Sequence, residues 1–108
     1  MNMFVAISTY QKPLAEVDAA RDGHLEWVGK HYDSGNFLVS GRQASATGGV
    51  IVAQADSESD LLGMLSSDPF VISGLSRYEL IEFSPTAAAQ RSPGFIAFSA
   101  QDTVRKTP

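Results

Sequence analysis

The spacing of hydrophobic and polar positions predicts a strand and then a helix in the first third of the chain. MFVAIST, residues 3–9, is rich in strand-forming residues. Pro13 suits the first turn of a helix, and from Leu14 to about Asp33 apolar residues recur at helical spacing. They form one predicted buried side: Leu14, Val17, Ala20, Leu25, Val28 and Tyr32. The residues SGN, 34–36, end this helix, so we predict a single helix of about five turns.

Two further strands and a second helix follow. The strand-like segments FLVSGR (37–42) and GGVIVAQA (48–55) are joined by a short polar loop that suits a hairpin. Ser57 lies three residues before Asp60, a spacing that resembles a helix-capping box. The predicted buried side of this second helix consists of Leu61, Leu62, Met64 and Leu65.

Pro69 ends the second helix, because the residue before a proline is disfavoured in helical geometry. A short turn, FVISG (70–74), leads to the last strand, LSRYELIEFS (75–84). The order strand, helix, strand, strand, helix, strand predicts an α+β fold, a ferredoxin-like βαββαβ sandwich with an antiparallel sheet. We expect one domain over residues 1–85 and a C-terminal extension over 86–108 that packs on a partner subunit.

The predicted strands are apolar on both faces. A sheet with helices on one face and water on the other should alternate apolar with polar residues, but both alternating sets are largely apolar here. Two helices cover only one face. We therefore expect a homodimer formed through the sheet faces; the alternative is that the residues after Ser84 fold back over the open face.

The composition narrows the expected partners and sites. The chain has 108 residues, of which 44% are hydrophobic, enough for one core. Its net charge of −4 offers no basic surface, so we expect neither nucleic acid nor membrane as a partner. Without cysteine there is no thiol nucleophile and no thiolate metal site, and the absence of disulfides suits a reducing compartment. We expect a cytoplasmic, metal-free protein.

His24 lies near the centre of the apolar side of the first predicted helix, so its ring is expected to face the sheet. Two interpretations stay open: a core histidine satisfied by its neighbours, or a proton-transfer residue. His31 lies near the helix end, where a cation interacts favourably with the helix dipole, and it is interpreted as structural. The two histidines form no recognisable metal-ligand pattern.

Asp68 immediately precedes Pro69, which is typical of a turn. It could also be the partner of His24. In a ferredoxin-like fold the two helices pack side by side and antiparallel, which brings the end of the second helix near the earlier half of the first. A carboxylate on one ring nitrogen fixes the tautomer and favours the protonated ring, whereas burial opposes protonation. The two side chains would then form an acid–base pair.

Four segments carry a resemblance to a known family: ARDGHLEWV, GNFLVSGRQ, GGVIVAQADS and SSDPFVISGLSRYELIEF. Over about residues 1–85 the chain resembles the YciI-like, or YCII-related, proteins, small members of the dimeric α+β barrel superfamily. The resemblance implies a homodimer through the sheets and a cleft whose His and Asp dyad maps onto His24 and Asp68. One branch is associated with dehydrochlorination of a chlorinated hydroxyhydroquinone, which implies cofactor-free lyase chemistry on a small ring compound.

Arg42 departs from the family pattern, which often has proline after the glycine that ends the second strand. If it faces the cleft, its guanidinium favours an anionic or phenolate ligand; the alternative is a solvated arginine at a hairpin end. Ser40, Tyr10 and Phe70 are further candidate substrate-binding residues. The leading hypothesis is elimination or isomerisation of a small cyclic or phenolic compound without a cofactor. The alternative is a non-catalytic dimer that binds a small ligand.

Overall fold

The computed structural model describes residues 1–87, and in it four helices replace the two predicted between the four predicted strands. The elements are β1 (Asn2–Tyr10), α1 (Leu14–Ala19), α2 (Arg21–Asp33), β2 (Phe37–Arg42), β3 (Gly49–Ala55), α3 (Glu58–Leu65), α4 (Pro69–Ile72) and β4 (Ser76–Phe83). The strands form an antiparallel sheet in the order β2-β3-β1-β4. The ferredoxin-like α+β class is therefore confirmed. Residues 88–108 of the predicted extension lie outside the described residues.

The segment predicted as one long helix forms two helices, α1 and α2, which meet at Ala20. The backbone there leaves helical geometry, with φ −104° and ψ 6°, and the Ala20 N–H bonds to the carbonyl of Val17. This tighter turn rotates the side chains that follow, so the single buried side that was predicted does not exist. Three of its residues are exposed instead: Leu14, Leu25 and Tyr32. Trp27 and Val28 are the buried residues of α2.

The second predicted helix begins where its cap indicates. Ser57 Oγ accepts a hydrogen bond from the Asp60 N–H at 3.0 Å, and Leu61 and Leu65 are buried. The predicted buried side is too wide, because Leu62 is exposed. The prediction of a turn after this helix is also wrong in detail, because the chain forms the single-turn helix α4 there.

The core lies between the helices and one face of the sheet. Phe4 and Ala6 of β1 pair with Ala53 and Ile51 of β3, which places all four on this face. The buried residues packed together here are Phe4, Ala6, Trp27, Val28, Phe37, Ile51, Ala53, Ala55, Leu61 and Leu65. A smaller cluster of Val17, Phe70 and Leu75 lies beside it, next to Tyr10.

The opposite face of the sheet is also largely apolar, as predicted. Val5 pairs with Val52 of β3 and with Ile81 of β4, so the three lie side by side. Val39 and Ile81 are more than half exposed, and Phe83 is 40% exposed. The described helices leave this face open, and its burial in a dimer stays a prediction. No helix within residues 1–87 combines the length and the apolar character needed to cross a bilayer.

Candidate active site at His24 and Asp68

The side chains of His24 and Asp68 are in direct contact. Nδ1 of His24 lies 2.8 Å from Oδ1 of Asp68. His24 stands in the first half of α2 and Asp68 directly before α4, and these two helices pack against each other. The two side chains that the sequence pairs are therefore in contact, with Asp68 placed by the short helix α4. The catalytic role of the pair stays a prediction.

Asp68 is fully buried and accepts three hydrogen bonds. Its Oδ1 accepts from His24 and, at 2.9 Å, from the backbone N–H of Phe70, and its Oδ2 accepts from the Tyr78 hydroxyl at 2.6 Å. A buried carboxylate without donors would be strongly destabilising, and these three donors compensate its charge. Asp68 therefore combines both interpretations that the sequence left open: it caps α4 and it bonds the histidine.

This bonding pattern assigns the tautomer of His24. The Phe70 N–H can only donate, so Asp68 Oδ1 is an acceptor. Burial raises the pKa of the Tyr78 phenol, as does the neighbouring Asp68 carboxylate, so Tyr78 keeps its proton and donates it to Oδ2. As a carboxylate, Asp68 accepts on both oxygens, so the hydrogen of its contact with the imidazole comes from His24. The hydrogen lies on Nδ1 of His24, and Nε2 is the free ring nitrogen.

Aromatic packing fixes the orientation of the imidazole. The His24 ring stacks on Phe70 with centroids 4.1 Å apart and planes within 1° of parallel, and Trp27 lies beside it at 5.8 Å. The His24 side chain is 18% exposed. The expectation that His24 faces away from solvent is thus only partly met, because one edge of the ring remains open to a cleft.

A small, half-open cleft lies beside His24. The space it encloses is about 60 Å³, smaller than the roughly 300–1,000 Å³ of typical ligand pockets, and the rest of the depression is open to solvent. All four predicted substrate-binding residues line it: Tyr10, Ser40, Arg42 and Phe70. Asp68 does not reach the cleft, since it lies behind His24 and is fully buried. His24 is thus the member of the pair that a ligand can touch.

Arg42 is held in the cleft wall by two partners. Its Nε donates to the Tyr10 hydroxyl at 3.1 Å, and its Nη2 donates to Asp18 Oδ1 at 2.5 Å. The hydrogen bonds with Asp18 and then Tyr10 raise the pKa of Arg42, so the guanidinium stays charged. Of the two alternatives for this residue, the cleft-facing position is the one observed.

Ser40 is placed by a neighbouring helix. Its Oγ is hydrogen-bonded to the Tyr32 hydroxyl at 2.5 Å, which links β2 to the end of α2. Ser8, which the sequence reasoning did not select, also lines the cleft, and its Oγ accepts from the Gly49 N–H at 2.8 Å. Both serines therefore brace the cleft wall against neighbouring elements.

The sequence reasoning also missed Tyr78 and Asp18. Tyr78 follows Asp68 by ten residues and lies opposite Ser8, on the helix-covered face of the sheet. Its place on the same face as Leu80 was an available signal for that face, though not for its contact with Asp68. Asp18 gave no signal, because its position depends on the break at Ala20. His31, which is interpreted as structural, lies between Trp27 and Phe37, and burial lowers its pKa, so it does not have the cationic environment that the sequence reasoning expected.

No group of three or more His, Asp or Glu side chains within residues 1–87 is placed to hold a metal ion.

The sequence profile of the YCII-related domain matches residues 3–84. The chain belongs to the YCII-related domain family. This match covers nearly the whole of the expected domain and contains both His24 and Asp68.

A solved structure has the same fold. It is the 5-chloro-2-hydroxyhydroquinone dehydrochlorinase from Burkholderia phenoliruptrix, in complex with 2,5-dihydroxybenzoquinone. The two chains are 18% identical with a TM-score of 0.63, and the alignment covers 75% of this chain and 93% of that chain. No curated protein sequence matches this chain. At this identity the structural likeness supports the fold of the YCII-related protein and leaves its reaction open.

Proposed function

We propose that this YCII-related protein is a cofactor-independent enzyme in which His24 moves a proton and Asp68 orients it. The observation that carries the proposal is the 2.8 Å hydrogen bond between Nδ1 of His24, which lines a cleft, and the carboxylate of Asp68. A base oriented by a buried carboxylate, beside a space for a ligand, is the arrangement that acid–base catalysis requires. The reaction class is elimination or isomerisation of a small cyclic or phenolic compound.

Nε2 of His24 takes a proton from a hydroxyl or carbon of the bound compound. Asp68 stabilises the resulting imidazolium through Nδ1–H, and its bonds to the Phe70 N–H and the Tyr78 hydroxyl keep it in place. In an isomerisation the imidazolium returns the proton to another atom of the compound. In an elimination the compound loses a leaving group as an anion, and the proton then passes from His24 to water.

The first compound to test is 5-chloro-2-hydroxyhydroquinone, the substrate in the name of the dehydrochlorinase with the same fold. Loss of HCl from it requires a base for the proton and departure of chloride, and His24 supplies the base. Arg42, Tyr10, Ser40 and Phe70 line the cleft and are the side chains assigned to hold the ring. A panel of related chlorinated and unchlorinated hydroquinones would define the leaving group.

Chloride release and product absorbance by the wild-type protein, His24→Ala and the matched control His31→Ala test this proposal. General acid–base catalysis typically contributes about 10²- to 10⁴-fold, so His24→Ala should lose about that much turnover. His31→Ala should keep it, because His31 is not among the residues that line the cleft. Full activity of His24→Ala would remove His24 from the mechanism.

A non-catalytic ligand-binding dimer is the second candidate function. It is favoured by the structural use of Asp68, whose carboxylate caps α4 and bonds Tyr78 irrespective of any chemistry. In that case small phenols would bind the cleft, but no compound of the panel would turn over. His24→Ala would then change affinity alone.

We also propose that the protein works as a cytoplasmic homodimer. The open sheet face exposes Val39, Ile81 and Phe83, and a second copy of the same face would bury this apolar patch symmetrically. The cytoplasmic location rests on the absence of cysteine, which suits a reducing compartment. Sedimentation at several protein concentrations measures the assembly.

A further inference from the structure

The Tyr10 hydroxyl accepts one hydrogen bond, which fixes its orientation, and its own hydrogen remains to be donated. It accepts from Arg42 Nε at 3.1 Å, and a guanidinium has no lone pair with which to take the phenol's own hydrogen. Within residues 1–87 that hydrogen has no protein acceptor. Tyr10 lines the cleft, so its O–H is placed to donate to a molecule bound there.

We infer that Tyr10 and Arg42 form an oxyanion-binding subsite in the cleft, which takes the ionised oxygen of a phenol or enol. This inference rests on the proposed function and narrows its substrate class to ring compounds that carry an acidic hydroxyl. Asp18 anchors the subsite, because its carboxylate accepts from Nη2 of Arg42 and holds the planar guanidinium in place. The positive charge of Arg42 in turn strengthens Tyr10 as a donor.

The subsite and the proton-transfer residue belong to one cleft. Phe70 contacts both rings: His24 stacks on it at 4.1 Å, and Tyr10 meets it edge-on at 6.3 Å between centroids. His24 and Tyr10 thus line the same cleft on either side of Phe70, and on this inference one ring compound lies between them. One group would remove a proton while the other stabilises the negative charge that develops on oxygen.

The charges around the cleft favour a negative ligand, although the whole chain carries a net charge of −4. Arg21 of α2 and Arg42 of β2 both line the cleft, and no Asp or Glu of the described residues does. The two nearby carboxylates each bond a cleft residue from behind the cleft lining: Asp18 bonds Arg42 and Asp68 bonds His24. An incoming oxyanion thus meets the Tyr10 hydroxyl and the two guanidinium groups, one of them paired with Asp18.

Binding of 4-nitrophenol tests the subsite without knowledge of the natural substrate, because its phenolate and phenol forms have different absorbance. The neutral 4-nitroanisole serves as the matched probe. Wild-type protein should bind the phenolate in preference to 4-nitroanisole. Arg42→Gln and Tyr10→Phe should each weaken phenolate binding by roughly tenfold, the value of about one charge-assisted hydrogen bond, and leave 4-nitroanisole binding within about twofold.

Arg77→Gln is the matched charge control, since Arg77 is exposed and is not among the cleft-lining residues. It should bind both probes like the wild type, and His24→Gln should retain the preference for phenolate. If Arg42→Gln fails to fold, Tyr10→Phe decides, because it removes a single hydroxyl. Thermal unfolding of each variant identifies such a failure.

Three results would overturn the inference. If both probes bind but Arg42→Gln and Tyr10→Phe keep the phenolate preference, the subsite is wrong while the proposed function stands. If only His24→Gln loses the preference, the oxyanion faces the histidine instead. If neither probe binds the wild-type protein at millimolar concentration, the phenol-binding cleft is wrong, and with it both the subsite and the proposed substrate class.

Discussion

Replacement of Asp68 should destabilise the fold by an amount that the structure sets. Asp68→Ala removes the acceptor of three hydrogen bonds and leaves the Phe70 N–H and the Tyr78 hydroxyl without their partner. An unsatisfied buried donor costs about 1–3 kcal/mol, and Asp68→Ala leaves two of them. We therefore expect Asp68→Ala to lower the free energy of unfolding by about 2–6 kcal/mol.

Asp68→Asn should be much milder. Its amide oxygen can take the place of Oδ1 and accept from His24 and Phe70, while its amide nitrogen donates to the Tyr78 oxygen. The network then loses its charge but keeps its contacts, which should cost about 1–2 kcal/mol. Urea unfolding near neutral pH, at one protein concentration, measures both variants.

Asp56→Ala is the control, because Asp56 is exposed and should change stability by less than about 0.5 kcal/mol. The bonding scheme would be refuted if Asp68→Ala cost no more than this control. It would also be refuted if Asp68→Asn cost as much as Asp68→Ala, because the amide would then have failed to replace the carboxylate in the network.

Three further predictions concern the fold around the site. Burial lowers the pKa of His31, so the unfolded chain takes up this proton at a higher pH than the folded chain. The free energy of unfolding should therefore fall as the pH drops below about 6.5. Urea unfolding at several pH values should show a smaller loss for His31→Gln. Gly48→Ala should destabilise the protein by several kcal/mol, because its methyl group would overlap a carbonyl oxygen of β1. Gly63→Ala in α3 meets no atom and should stabilise the protein by up to about 1 kcal/mol. Equal effects of the two variants in thermal unfolding would contradict this. Ile81→Glu on the open sheet face should shift the protein toward monomers in sedimentation, whereas Ile72→Glu, exposed on α4, should not. If Ile81→Glu assembles like the wild-type protein, the sheet-face dimer is excluded.

The strands and their order along the chain were predictable, because each strand has a local signal in the sequence. Alternating apolar residues set the strands, and Ser57 with Asp60 set the start of α3. The order of these elements then led to the ferredoxin-like fold. The fold then suggested the contact of His24 with Asp68, and the structure makes it by packing α4 against α2.

The break at Ala20 had no local signal. Alanine is the best helix former, so tertiary packing decides there against propensity. The Asp18 bond to Arg42 depends on that break and was missed with it. The reach of Tyr78 to Asp68 depends on the register of β4 against β1, and hydrophobic alternation gives the face of a residue but not this register.

Nitrogen-15 NMR of the two histidine rings tests the central claim most directly, with His31→Gln used to assign the His24 signals. In the neutral ring of His24 we expect the hydrogen on Nδ1 and none on Nε2, because Asp68 accepts at Nδ1. The Nε2 signal should move when 5-chloro-2-hydroxyhydroquinone or 4-nitrophenol is added. A hydrogen on Nε2 in the free protein, or an Nε2 signal that ignores both compounds at saturation of the cleft, would contradict a base poised for proton transfer.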